Sequence, residues 1–153
     1  MRQFRITKYN PIHRDSRGAY TLDEWTEYQD VGELVTLEEY EEVESSYIQS
    51  LILLLRSSKI GTFKIVRLEN YLGKCPFQEG QLIDFEKFAE AFKSVLRSEY
   101  WCIFESEEAY VHFGYDFYSY IGVPFVDERD VNKIAERGLF VECCRSPFNE
   151  RST

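Results

Sequence analysis

Two histidines, four cysteines and 27 carboxylates are the groups of this 153-residue chain that could carry metal, nucleophilic or acid–base chemistry. Their spacing supports none of it. His13 lies in a Pro-Ile-His-Arg-Asp stretch and His112 in an aromatic one, and neither has a Cys, a Glu or a second His at metal-ligand spacing. Cys75, Cys102, Cys143 and Cys144 form no C-x-x-C pair, and adjacent Cys143 and Cys144 would point to opposite faces of a strand. All four read as reduced thiols that pack as small apolar groups. No nucleophile elbow, phosphate-binding glycine loop, dinucleotide fingerprint or H-E-x-x-H pair occurs. With so many acids a carboxylate pair arises by chance, so pairing alone does not identify a general acid and base. The expectation is a non-enzyme with no catalytic residue, no metal, no cofactor and no small-molecule substrate.

The carboxylates are informative in another way. Against 18 Lys and Arg they leave a net charge of −9, which argues against direct binding of nucleic acid, because such binding rests on cations neutralising phosphates. The excess is local. Residues 1–22 carry Arg2, Arg5, Lys8, Arg14 and Arg17 against Asp15 alone, whereas residues 23–46 hold ten acids and no Lys or Arg. Acids in the first turn of a helix are favoured by its dipole, but Glu38, Glu39, Glu41, Glu42 and Glu44 run past that turn and repel one another at three- and four-residue steps. Trp25, Tyr28 and Tyr40 are interleaved with them. Tyr40 is expected to turn inward, leaving Trp25 and Tyr28 as apolar anchors beside Asp23, Glu24, Asp30, Glu38, Glu41 and Glu42. Such a surface would attract a basic protein and mimic the phosphate track it normally binds.

An aromatic block over residues 100–125 is the second candidate. It does not suit base stacking, since residues 98–128 contain neither Lys nor Arg. It reads as core aromatics on one sheet face, with Tyr115, Tyr118 and Tyr120 outward if Phe117 and Ile121 point in. Tyr115 and Tyr118 are carried as partner-binding candidates.

The elements that must position these residues follow from pattern and capping. Alternation predicts a strand over 4–9, and residues 10–35 read as a long loop with a short strand near Tyr20, either functional or hiding an element. Thr36-Leu37-Glu38-Glu39 is a capping box opening a helix to about Ser57, closed by Gly61. A strand over 62–68, a loop over 69–81 and a helix capped by Asp84 come next. Strands over 100–104, 110–113 and 117–123 form a meander. Asp127 then caps a short helix, with Val131, Ile134 and Ala135 inward and Gly138 as its stop, before a strand over 139–144 and a polar tail over 146–153. The order β-α-β-α-β-β-β-α-β predicts one α+β domain over 1–153, a mainly antiparallel sheet with about three helices on one face. No apolar stretch follows the basic start, and the longest apolar run, Leu51 to Leu55, is far below the ~20 residues of a membrane span. A cytoplasmic protein with no membrane contact is expected.

Short stretches throughout the chain carry a resemblance. Phe-Arg-Ile-Thr-Lys-Tyr-Asn-Pro at 4–11, Arg-Asp at 14–15, Gly-Ala-Tyr at 18–20, Asp-Glu-Trp-Thr at 23–26, Asp-Val-Gly at 30–32 and Leu-Glu-Glu-Tyr at 37–40 are joined by Val-His-Phe-Gly-Tyr-Asp at 111–116 and Gly-Leu-Phe-Val-Glu at 138–142. In these the chain resembles the immunity partners of secreted bacterial polymorphic toxins. The resemblance implies a cytosolic, non-enzymatic antitoxin that binds a cognate toxin domain, often a basic nuclease, and blocks its active site. It assigns no contact residue. The alternative reading is an adaptor or regulatory domain that binds another protein through its aromatic sheet face.

Overall fold

Thr36 accepts the Glu39 backbone N–H at 3.1 Å and opens α1 (Leu37–Ser57), the longest element. Its three- and four-residue steps bury Tyr40, Tyr47, Leu51, Leu54 and Leu55 completely. The helix closes through Lys59, which takes the left-handed conformation (φ 59°), and not through Gly61 as the sequence suggests. Asp84 caps α2 (Phe85–Leu96) by accepting the Lys87 N–H, and Asp127 caps α3 (Glu128–Glu136) by accepting the Arg129 N–H. In α3 Ile134 is buried as expected, but Ala135 is exposed and Asp130 is buried instead, where it accepts a hydrogen bond from Ser57 Oγ.

The computed structural model describes residues 1–149. Among these the strands are β1 (Arg2–Thr7), β2 (Thr62–Glu69), β3 (Leu82–Asp84), β4 (Trp101–Glu105), β5 (Tyr110–Phe113), β6 (Ser119–Val123) and β7 (Phe140–Cys143). They form one sheet in the order β3-β2-β4-β5-β6-β1-β7, with every neighbouring pair antiparallel. The class is α+β, and the element order departs from expectation in one respect. The sequence gives no sign of β3, which lies between the loop over 69–81 and the helix capped by Asp84, because three residues are too few to display a period.

Register explains the two faces. Ile65, Phe104, Val111, Ile121 and Phe4 lie side by side across five strands and join the helices in the main core. Their neighbours in sequence, among them Ile103, His112, Tyr120 and Arg5, alternate onto the opposite face. That face is not open. Cys144 donates its N–H to the Gln3 carbonyl, Ser146 lies against His112, and Phe148 sets its ring against Trp101, His112 and Tyr120. Tyr120, expected to face solvent, is therefore only 6% exposed. Part of the polar tail expected over 146–153 is this packed strap, and residues 150–153 lie outside the described residues.

Gly122 sits where this second face is tightest. A Cβ there would stand 2.8 Å from the Met1 sulfur and closer still to the Tyr110 ring, whose hydroxyl is held by Gln3 Oε1 at 2.7 Å. Gly122→Ala is expected to destabilise the fold by about 1–3 kcal/mol, the usual penalty of overpacking, measured by denaturant unfolding.

Candidate protein-binding surface

The loop over 10–35 contains two single-turn 3₁₀ segments, Pro11–His13 and Tyr28–Asp30, and two isolated bridges, Arg14 with Tyr20 and Val31 with Val35. The strand expected near Tyr20 is only the first of these bridges. The loop is fixed by side chains. Just past β1, the Lys8 ammonium lies 4.1 Å from the Trp25 ring centroid and 4.3 Å from that of Tyr9, and forms an ion pair with Glu24. Glu24 also accepts the Tyr20 hydroxyl at 2.8 Å. Burial lowers the Lys8 pKa, and Glu24 opposes that shift. β1 itself stops at Thr7, and the Lys8 N–H leaves the sheet to donate to Tyr47 Oη at 2.7 Å.

Trp25 and Tyr28 do not serve as outward anchors. Both are half-buried: Trp25 packs on Tyr40 and Phe117 at 5.4 and 5.1 Å, and Tyr28 packs on Tyr40 at 4.9 Å under the Arg97 guanidinium. A loop this long needs its own apolar attachment to the core, and these rings provide it. Tyr40 faces inward as expected.

The ten acids of residues 23–46 divide into two groups. Glu24 is paired with Lys8, and Glu27 and Asp30 accept backbone N–H groups around the second 3₁₀ turn. Glu44, 4% exposed, takes a two-pronged contact from Arg97 at 2.8 and 3.0 Å, which raises the Arg97 pKa. Asp23, Glu33, Glu38, Glu39, Glu41 and Glu42 are exposed and form no ion pair with a described residue. Glu38, Glu41 and Glu42 line a shallow groove on α1 together with Leu37, Ser45 and Ser46. Leu34 and Leu37, 68% and 48% exposed, are the apolar groups that stand among these carboxylates. Sequence reasoning missed both, because Leu37 falls in phase with the apolar stripe and Leu34 belongs to no periodic element.

Of the aromatic candidates, Tyr115 is 88% exposed and Tyr118 is half-buried. The Tyr118 ring lies beneath Arg5 and Arg14, and its hydroxyl accepts from Arg14 Nη1 at 2.8 Å. Glu142 takes both guanidinium groups, at 2.9 and 3.4 Å. Tyr118 thus belongs to an internal polar cluster, and Tyr115 alone is presented to solvent.

One constellation was invisible in the sequence. Ser146 Oγ lies 2.6 Å from His112 Nδ1, and His112 Nε2 lies 3.9 Å from Glu105 Oε1. The residue types match a nucleophile, base and acid, but Ser146 is 4% exposed, His112 is fully buried, and Ser146 Oγ already accepts the Phe148 N–H at 3.1 Å. The arrangement is a latch for the strap over 144–149. Burial, reinforced by the Arg67 charge, lowers the His112 pKa to about 4, so the ring is neutral and the approach of Glu105 is not an ion pair. Among the described residues no group of three or more His, Cys, Asp or Glu is disposed to hold a metal, and no helix is long and apolar enough to cross a membrane. The four cysteines are free thiols; Cys102 is buried and Cys143 exposed. No family model matches the chain, and no curated protein or solved structure does so either.

Two outcomes follow from this geometry. Lys8→Ala is expected to cost on the order of 2 kcal/mol and to expose residues 10–35, read as faster cleavage after Glu24 and Glu27 by a Glu-specific protease. For His112, the unfolded chain binds its proton near pH 6.5 and the folded chain only near 4. Its contribution is therefore complete above pH 6.5 and is lost as pH falls toward 4, by on the order of 3 kcal/mol in total. The stability difference between the native chain and His112→Gln should shrink between pH 7 and pH 4.5; a constant difference would contradict it.

Proposed function

We propose that this chain is a cytosolic, immunity-type protein that binds a basic toxin domain, a nuclease in this reading, and neutralises it by covering its substrate groove. The observation that carries the reading is the division of the acids. Four are engaged by Lys8, Arg97 or backbone N–H groups, while Asp23, Glu33, Glu38, Glu39, Glu41 and Glu42 are exposed and form no ion pair with a described residue. Like charges this close oppose one another and are retained at some cost to α1. A positively charged partner converts that repulsion into attraction and accelerates encounter.

In this reading Leu34 and Leu37 supply the apolar contact, and Trp25 and Tyr28 hold the loop rather than touch the partner. The protein acts by occupying a site and performs no chemistry of its own. In this reading the carboxylates of α1 take the place of a phosphodiester backbone on the nuclease. The resemblance to immunity proteins points to the same class of partner.

The test is capture from the native cell with identification of the partner by mass spectrometry, followed by co-purification with that partner, for which a small basic domain is expected. A 1:1 complex is expected, with an association rate that falls at least about tenfold between low and high salt, since screening removes steering beyond ~10 Å. Simultaneous Glu38→Lys, Glu41→Lys and Glu42→Lys should weaken affinity at least about 100-fold. Unchanged affinity would rule out this surface. The second reading, an adaptor that binds through aromatic groups, is favoured by the 88% exposure of Tyr115. It requires salt-tolerant binding that is lost in Tyr115→Ala.

A further inference from the structure

At the end of the sheet where β4 begins and β5 ends, Trp101, Phe113 and Phe148 line a cleft of about 400 Å³, together with Tyr71 and Tyr115. That volume is within the range of ligand pockets. Two of its rings are held by hydrogen bonds. The Trp101 indole N–H donates to the Phe113 carbonyl at 2.8 Å, and the Tyr71 hydroxyl donates to the Ser98 carbonyl at 2.6 Å. Among the described residues five non-glycine positions have left-handed backbone, and two of them line this rim, Arg67 at the bulge in β2 and Ser98 just after α2, while two more, Asp116 and Phe117, follow Tyr115 directly in the chain. Each such residue costs roughly 1 kcal/mol relative to an ordinary conformation, and strain of this kind collects where a surface is presented in one fixed shape.

The charged groups that line the cleft are one carboxylate, Glu69, and one guanidinium, Arg67. Burial, with a smaller contribution from the Glu69 carboxylate, pushes the Tyr71 pKa up. Asp116 follows Tyr115 in the chain without lining the cleft, and Glu99 lines a separate groove with Tyr28 and Arg97. Arg67 is the cation among the lining residues, and its guanidinium lies 5.8 Å over the Trp101 ring, so a ring of this cleft already accommodates a planar cation. Aromatic faces beside a carboxylate are the chemistry that recognises guanidinium groups.

We infer that this cleft takes an arginine side chain of the basic partner, stacked on Tyr71 and Tyr115 and paired with Glu69. The inference rests on the reading of a basic partner and adds a second point of recognition, independent of the α1 carboxylates. Preformed rings contribute contact area without an ordering penalty, which lets one side chain fix the orientation of a complex that the acidic surface attracts without selecting a pose.

The probe is a blocked Gly-Arg-Gly peptide, compared with its neutral citrulline analogue, titrated into the isotopically labelled protein. Movement of the Trp101 indole signal and of the Glu69, Tyr71 and Tyr115 amides is expected at concentrations on the order of 1 mM, with the Trp25 indole unmoved. The citrulline peptide should bind at least about tenfold more weakly, Glu69→Gln and Tyr115→Ser should each weaken the arginine peptide about fivefold, and Arg67→Leu should strengthen it. Equal response to both peptides, or movement confined to Glu38, Glu41 and Glu42, would overturn the inference. A variant carrying Glu38→Gln, Glu41→Gln and Glu42→Gln separates the two sites: it should keep the cleft response, and loss of that response would also overturn the inference. Should the cleft fail while the triple lysine variant still abolishes toxin binding, the proposed function stands without it.

Discussion

A single ammonium group determines how the first quarter of this chain is arranged. Lys8 lies between the rings of Tyr9 and Trp25 and against Glu24, and the contacts with Trp25 and Glu24 join the end of β1 to the long loop that follows. Removing an ammonium from water is expensive, so a site of this kind forms only where a carboxylate and aromatic faces replace the lost hydration together. The site has the further effect of placing Trp25 on Tyr40 and Phe117. From there the loop returns to the start of α1 through Tyr28, which packs on the same Tyr40. A segment with almost no regular backbone structure is thereby seated on the core by its side chains.

This arrangement controls what the acidic segment can do. If all ten carboxylates were solvated, the segment would be a self-repelling chain with no fixed shape. Instead the carboxylates nearest the core are matched individually, Glu24 with Lys8, Asp30 with backbone donors and Glu44 with Arg97. These contacts are local and partly shielded, so salt weakens them less than it weakens the exposed group. The exposed carboxylates inherit fixed positions from neighbours that are already neutralised. A field produced by fixed charges has a direction, and direction distinguishes recognition from general attraction.

Much of the fold was legible because its signals are local. Thr36, Asp84 and Asp127 announce helix starts within three residues, and the stripe from Tyr40 to Leu55 repeats at helical spacing. The errors share a cause, dependence on residues distant in sequence. Tyr120 was placed on the correct face by alternation with Ile121, but whether that face is open depends on Phe148, which lies 28 residues further on. Aromatic rings beside carboxylates look like an exposed anchor in one dimension; Trp25 and Tyr28 turn inward because Lys8 and Tyr40 wait for them. The candidate site was therefore half readable: Glu38, Glu41 and Glu42 follow from helix phase, whereas the exposure of Leu34 and Leu37 depends on what packs beside them.

The same long-range dependence links the two surfaces of the molecule. Asp116 and Phe117 both adopt left-handed backbone, which reverses the chain between β5 and β6 so that Phe117 enters the core while Tyr115 stands in solvent. The Tyr9 and Tyr47 hydroxyls donate to the carbonyls of Asp116 and Phe117, at 2.5 and 2.9 Å, and the Phe117 ring meets Trp25, Tyr40 and Tyr47. Strain persists only where its surroundings over-determine it, and here the surroundings are the residues that seat the acidic loop. Phe117 cannot be released without loosening Trp25, and Trp25 cannot be released without uncovering Lys8. The exposed tyrosine and the exposed carboxylates are thus carried by one continuous set of contacts, and a partner that engaged both would meet a preformed surface rather than two independent loops.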